Sequence, residues 1–126
     1  MITVTNMSRE FNEVETYLMT IAPGVKSVKD VEDGEKIPVD GWLEFEDEKD
    51  NGDVTEVLSV ITPDKKVYAC QSQTFKRSLK DIANIMNGKS FTIVKTSGKT
   101  KAGRDFVNCV LDVSSIDFAV YDPSIM

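Results

Sequence analysis

The chain has 126 residues, 40% of them hydrophobic, which suits a single domain built around one core. It carries a net charge of -6 and no histidine, which argues against most acid–base catalysis at neutral pH and against a metal site. The N-terminus lacks the basic start and apolar run of a signal peptide, and no segment approaches the roughly 18 apolar residues that cross a bilayer. We therefore expect a soluble, intracellular protein with no membrane contact and no cofactor.

The charge is distributed unevenly along the chain. Residues 65–104 hold ten Lys or Arg and one acid, Asp81, a net +9, while the rest holds five basic and 20 acidic residues, a net -15. A basic block inside an acidic protein favours binding to a polyanion, with the acidic remainder limiting indiscriminate adhesion.

The first predicted element is an amphipathic helix over residues 8–22, with Ser8 as its N-cap and Pro23-Gly24 at its end. Its apolar residues recur at helical spacing and are Phe11, Val14, Leu18 and Ile21. A polar connector follows over residues 25–36. Residues 1–36 are therefore interpreted as an N-terminal helical extension with its connector.

Three strands are predicted next, over residues 37–47, 54–62 and 66–72. An acidic turn containing Asn51-Gly52 joins the first two, and a tight turn at 63–65 joins the second to the third. A helix over 74–87 follows, with Thr74 as N-cap, Gly88 beyond its end and Phe75 in its buried stripe. Its basic residues Lys76, Arg77 and Lys80 are expected on a solvated outer face.

The last two predicted strands, 90–97 and 105–113, form a hairpin around a glycine- and lysine-rich loop over residues 98–104. Residues 114–126 form a tail in which 117–121 is compatible with a short extra strand. Cys70 and Cys109 lie within strands and are expected to be buried and reduced.

Five strands with a helix between the third and the fourth is the order of an OB-fold barrel. The predicted fold is therefore mainly β: a five-stranded OB-fold barrel over residues 37–113, preceded by the N-terminal amphipathic helix.

In OB-folds, the loop between the last two strands and the sheet face of strands two and three contact oligonucleotides. Single-stranded nucleic acid is held by cations along the phosphates and by aromatic rings that stack on bases. Phosphate contacts are accordingly assigned to Lys65, Lys66, Lys95, Lys99, Lys101 and Arg104. Stacking is assigned to Tyr68 and Phe106, and then to Phe45, although Phe45 and Trp42 sit on a strand with acidic neighbours and are each more typical of a core.

With these residues in view, the chain from Asp33 to Val113 resembles the small single-stranded-DNA-binding proteins of protein-primed tailed bacteriophages. The shared pattern comprises Asp33-Gly34, the acidic Asn51-Gly52 turn, Pro63-Asp64-Lys65-Lys66-Val67-Tyr68, the Ile-rich helix and the hairpin from Ser97 to Arg104. Members of that family are OB-fold proteins that coat displaced strands during replication and stack bases on strand aromatics, often tyrosines.

The resemblance implies roles for particular residues. Tyr68 falls where the family carries a stacking tyrosine, and Phe45 falls where it carries another, with the ring kept and the hydroxyl lost. Extensions such as residues 8–22 are associated in the family with self-association, so Phe11, Val14, Leu18 and Ile21 are a candidate oligomer face. Packing of these residues onto their own domain is the alternative.

The function expected from these observations is non-enzymatic binding of single-stranded DNA without strong sequence preference, in the cytoplasm of an infected bacterial host. Possible further partners are replication proteins and a second copy of the chain. The main alternative is an adaptor that binds a replication or host protein and no nucleic acid. RNA as ligand is a further alternative, since nothing in the chain reads a 2′-hydroxyl. An enzyme or nuclease subunit is a weaker alternative, since no carboxylate pair belongs to a recognisable metal or nucleophile motif.

Overall fold

The structure is a computed structural model that describes residues 1–115 and is mainly β. The eight strands in this part of the chain are β1 (Ile2–Met7), β2 (Lys26–Ser27), β3 (Lys36–Val39), β4 (Gly41–Glu48), β5 (Val54–Ile61), β6 (Val67–Cys70), β7 (Phe91–Lys99) and β8 (Asp105–Leu111). The helices are α1 (Glu13–Thr20) and α2 (Gln73–Met86), with short 3-10 turns at Val28–Asp30 and Val113–Ser115. The predicted strand over 117–121 lies outside the described residues.

The strands form two sheets, one with the order β1-β4-β5-β6-β2 and one with the order β3-β7-β8. All pairs are antiparallel except β2 with β6. The predicted strand 37–47 is in fact two strands, because β3 pairs with β7 whereas β4 pairs with β1 and β5. The change of sheet occurs at Asp40, whose backbone N–H donates to the Ile61 carbonyl at 2.9 Å.

The predicted five-stranded closed barrel is not observed. Within residues 1–115 no ladder joins β8 to β6 or β2, so the two sheets do not close, and α2 follows the sixth of eight strands instead of the third of five. The sequence pattern missed β2 because it has two residues, and missed β1 because its apolar alternation, Ile2 and Val4, stops at Asn6. Their pairing partners lie some 40 residues away in the chain, at β4 and β6.

The core consists of two apolar clusters on opposite faces of the β4–β5–β6 sheet. Side chains alternate between faces along a strand, so Leu58 and Val60 enter the first cluster while Ile61 enters the second. The first cluster also takes in α2 and the other sheet through Phe75 and Ile93. The sheet is thus buried on both faces, which explains why its strands are apolar on both.

Helix α1 is shorter than predicted, and its N-cap is Asn12, not Ser8. Asn12 and Glu15 form a reciprocal capping box, in which Asn12 Oδ1 accepts from the Glu15 N–H and Glu15 Oε1 accepts from the Asn12 N–H. Ser8 instead accepts from the Trp42 backbone N–H at 2.9 Å, at the end of the β1–β4 pairing. Ser8 cannot cap the helix because it directly follows β1 and its backbone N–H donates to the Trp42 carbonyl at 2.9 Å.

The expected apolar face of the N-terminal helix is divided. Phe11, which precedes α1, and Leu18 pack against the second cluster, whereas Val14 and Ile21 are exposed. The fully buried residue of the helix is Met19, whose carbonyl accepts from Ser59 Oγ at 2.6 Å. In this chain α1 therefore packs onto its own sheet.

Helix α2 agrees with prediction to within a residue at each end, and Phe75 is fully buried as expected. Its N-cap is Ser72, two residues before the predicted Thr74. Lys76 does not lie on a solvated face: it is 3% exposed, and its ammonium donates to the Glu56 carbonyl at 2.9 Å.

Both cysteines are buried and free, as predicted. Burial raises the pKa of the Cys70 thiol and raises that of Cys109 to about 12, so both are neutral at physiological pH. Neither helix of residues 1–115 has the length and apolar character needed to cross a membrane.

Candidate nucleic-acid interface

The tip of the β7–β8 hairpin presents three of the predicted cations to solvent. Lys99, Lys101 and Arg104 are all exposed. The turn between them is closed by the Thr100 N–H, which donates to the Arg104 carbonyl at 2.9 Å, and Gly103 takes a positive φ of 83° there. The ion pair of Lys99 with Asp105, at 3.2 Å, is highly exposed on both sides and therefore weak.

Phe106 lies against the backbone of the same hairpin. It pairs across the strands with Gly98, and a Cβ added at Gly98 would stand 2.5 Å from the Phe106 ring. Glycine at 98 is therefore what lets the ring lie flat over β7. The ring is only partly buried and is held in place at the base of the basic tip.

The Phe106 ring lines an open groove of about 880 Å³, here called the hairpin groove. Its other wall is formed by the end of β6, with Ala69, and by the segment that carries Val25, Ser27 and Lys29. At its base, Ser72 Oγ donates to the Val107 carbonyl at 3.1 Å, joining the end of β6 to β8. The groove thus separates the two sheets at their unpaired edges.

Lys95, assigned to a phosphate contact from the sequence, is not available for one. It is 4% exposed, and its ammonium bonds to Asp33 Oδ1 at 2.8 Å. Ser97 Oγ donates to the same oxygen at 2.7 Å, and these bonds, Lys95 first, lower the pKa of Asp33. The signal in the sequence was that Lys95 shares a strand face with Ile93, which is fully buried.

Phe45, assigned to stacking, lies in the second cluster and is 5% exposed. Its ring is covered by the N-terminal segment and offers no face to a base. The resemblance placed a stacking residue here, but β1 and α1 cover this face of the sheet.

The remaining predicted residues meet in a second groove, of about 480 Å³, here called the tyrosine groove. Lys65, Lys66 and Tyr68 line it together with Tyr17 and Lys26, which the sequence reasoning missed. Lys26 pairs with Tyr68 in the parallel β2–β6 ladder. No sequence signal singled out Tyr17, because it lies three residues after Val14 and four before Ile21, beside the apolar stripe of its helix.

The charge of the tyrosine groove is partly compensated by α1. Lys65 Nζ lies 3.1 Å from Glu15 Oε2, which also accepts from Arg9 at 3.0 Å. The hydrogen bond from Arg9, then that from the Asn12 backbone and that from Lys65, lower the pKa of Glu15 to about 2. Lys66 lies 3.7 Å from Asp64 and remains highly exposed.

The hairpin groove and the tyrosine groove share one wall. Val25 and Ser27 line the first, while Lys26 between them lines the second, as side chains alternate along an extended segment. The candidate aromatic residues Phe106 and Tyr68 therefore lie in neighbouring grooves on either side of β2.

A third groove, of about 670 Å³, lies between α2 and the β3–β4 junction. Its aromatic residues are Trp42 and Phe91. Lys80 there pairs with Glu44 at 3.2 Å, and Arg9 pairs with Asp40 at 3.0 Å, so these two cations are already matched by carboxylates.

Residues 1–115 contain no cluster of three or more acidic or cysteine side chains arranged to hold a metal ion. No protein-family model, curated protein or solved structure matches the chain.

Proposed function

We propose that the protein binds single-stranded DNA without strong sequence preference, as a binding protein with no catalytic role. The observation that carries this proposal is the hairpin groove: a half-buried aromatic ring, Phe106, held at the base of a turn that carries three exposed cations. An aromatic ring can stack on any base, and exposed cations at the tip of a hairpin can contact the phosphates.

An OB-fold is proposed as the architecture behind this activity. Two features support it. The stretch from β3 to β4 contributes to both sheets, and α2 connects β6 of the larger sheet to β7, the central strand of the smaller one. OB-fold barrels are partly open, and here the Ser72–Val107 hydrogen bond bridges the open side. The proposed role of coating displaced strands in phage replication rests on the family resemblance of the sequence.

The proposal is tested by fluorescence anisotropy of labelled oligo(dT) over a series of salt concentrations. Intrinsic fluorescence is a poor reporter because Trp42 is 8% exposed and lies in the first cluster. Each phosphate contact with a single strand contributes about 0.7 to the slope of log K against log salt. Replacing Lys99, Lys101 and Arg104 together by Ala should therefore reduce the slope by about 2.

A control variant separates a phosphate contact from a general loss of charge. Lys49→Ala removes an exposed lysine on the acidic β4–β5 turn, and this residue lines neither groove. It should leave the slope unchanged. Absence of binding at low salt, or a loss of about 0.7 in the slope with Lys49→Ala, would contradict the proposal.

The stacking role of Phe106 predicts a loss of affinity of about 1–3 kcal/mol on substitution by Ala. Phe106→Tyr keeps the ring over Gly98 and should bind within a factor of about 2 of the wild type, since any aromatic face stacks a base. Equal weakening by both substitutions would show that the ring does not act by stacking.

A second candidate function, interaction with another protein, is favoured by two exposed apolar side chains, Val14 in α1 and Ile21 at its C-cap. Salt-insensitive binding to a polypeptide, with no affinity for oligo(dT), would select this adaptor reading. Val14 and Ile21 are also the two residues of the predicted oligomer face that are exposed. Sedimentation velocity of Ile21→Glu, compared with the wild type, tests self-association.

A further inference from the structure

We infer that the tyrosine groove is a second nucleotide-binding subsite, in which Tyr17 and Tyr68 stack bases while Lys26 and Lys66 contact phosphates. This inference rests on the proposed function and extends it: helix α1 becomes part of the DNA-binding surface. The occupant is the same single strand that fills the hairpin groove.

The first support is the composition of the groove. Two tyrosines and three lysines line it, and its volume of about 480 Å³ lies in the range of sites that hold one small ligand. Tyr17 is 47% exposed, so its side chain is accessible to a ligand from solvent. An aromatic surface edged by cations matches the two components of a nucleotide, base and phosphate.

The second support is that both rings are carried by rigid elements. Tyr68 lies in β6 and packs partly against the first cluster. Tyr17 lies in α1, which is fixed by the fully buried Met19, by the Ser59 hydrogen bond and by the capping box. A ring held in place loses little conformational entropy when a base stacks on it.

The third support is the state of the cations. Lys26 is exposed and makes no ion pair with any residue of the stretch 1–115, and the pair of Lys66 with Asp64 is long and exposed. Lys65 is the cation already held by Glu15. The groove therefore offers two lysines to a phosphate chain, while the third fastens α1 to the β5–β6 turn.

The fourth support is continuity. Lys26 lines the tyrosine groove, and its neighbours Val25 and Ser27 line the hairpin groove. A DNA strand that leaves one groove and crosses β2 therefore enters the other. The two subsites are then successive along a single strand, so binding to the tyrosine groove requires an oligonucleotide long enough to reach beyond the hairpin groove.

The test uses the full chain and oligo(dT) of increasing length, with affinity measured by anisotropy. Tyr17→Ala should weaken binding of long oligonucleotides by about 5- to 150-fold and leave the shortest that bind unaffected. Tyr17→Phe should bind as the wild type does. Val54→Ala is the control, since it shortens an exposed apolar side chain on β5 that lines neither groove.

Lys26→Ala provides a second readout, independent of the helix. It should reduce the salt slope for long oligonucleotides by about 0.7, whereas Lys49→Ala should not. If both Tyr17→Ala and Lys26→Ala bind long oligonucleotides as the wild type does, the second subsite is overturned and the proposed function stands. A wild type that binds no length of oligo(dT) would overturn both.

Discussion

The close contact between Phe106 and Gly98 predicts that Gly98→Ala destabilises the wild-type protein but stabilises a Phe106→Ala variant. A Cβ at position 98 would stand 2.5 Å from the ring, closer than real Cβ contacts, so Gly98→Ala must push Phe106 off β7. Overpacking of this kind costs about 1–3 kcal/mol. In a Phe106→Ala background the obstacle is gone, and Gly98 lies in a strand whose extended backbone alanine also adopts.

In that background Gly98→Ala should stabilise the protein by about 0.4–1 kcal/mol, because alanine restricts the unfolded chain. Gly24→Ala is the matched control: an added Cβ there meets nothing within 4 Å, so it should stabilise the wild type by a similar amount. Gly98→Ala is thus expected to lower the free energy of unfolding of the wild type and to raise that of Phe106→Ala.

The assay is urea unfolding followed by the emission of Trp42, which is buried in the native state. With an m value of about 2 kcal/mol/M, Gly98→Ala should lower the midpoint by about 0.5–1.5 M in the wild type and raise it slightly in Phe106→Ala. Stabilisation by Gly98→Ala in the wild type, as with Gly24→Ala, would refute the placement of the ring.

Two further predictions concern titratable groups. The pKa of Glu15 is lowered to about 2 by Arg9, Asn12 and Lys65, so its stabilising contribution is complete above the ordinary value of 4.5 and is lost as the pH falls towards 2. Glu15→Gln should flatten the decline of the melting temperature across that window, and an unchanged decline would contradict the ion pairs. Because burial raises the pKa of both thiols, to about 12 for Cys109, neither Cys70 nor Cys109 should react with a thiol reagent at pH 8 until denaturant is added; rapid reaction of the native protein would contradict their burial.

Part of the candidate site was predictable because its signals are local. The Gly98 and Gly103 positions and the run of cations between them mark an exposed basic hairpin tip, and the structure has one. Tyr68 next to Lys65 and Lys66 follows equally from the short β5–β6 turn. In each case the residues that act together are neighbours in the chain.

Two other assignments failed at the same step, the choice of strand face. Lys95 was assigned to phosphate and Phe45 to stacking, although the pattern around Phe45 is more typical of a core; the structure buries the first beside Asp33 and the second beneath the N-terminal segment. Alternation along a strand states which residues share a face and not which face is covered. That depends on β1 and α1, whose contacts with the sheet join residues distant in sequence.

By itself the sequence determined the mainly β character, helix α2, the burial of both cysteines and the basic block from 65 to 104, all of which arise from composition, short-range periodicity and turn chemistry. Only the tertiary structure decided that two sheets share the stretch from β3 to β4 without closing, and that α1 covers one face of the first sheet. It also decided that Tyr17 and Lys26 join Tyr68 in one groove. The physical reason is that strand pairing and face burial are long-range choices, set by which apolar surfaces find each other.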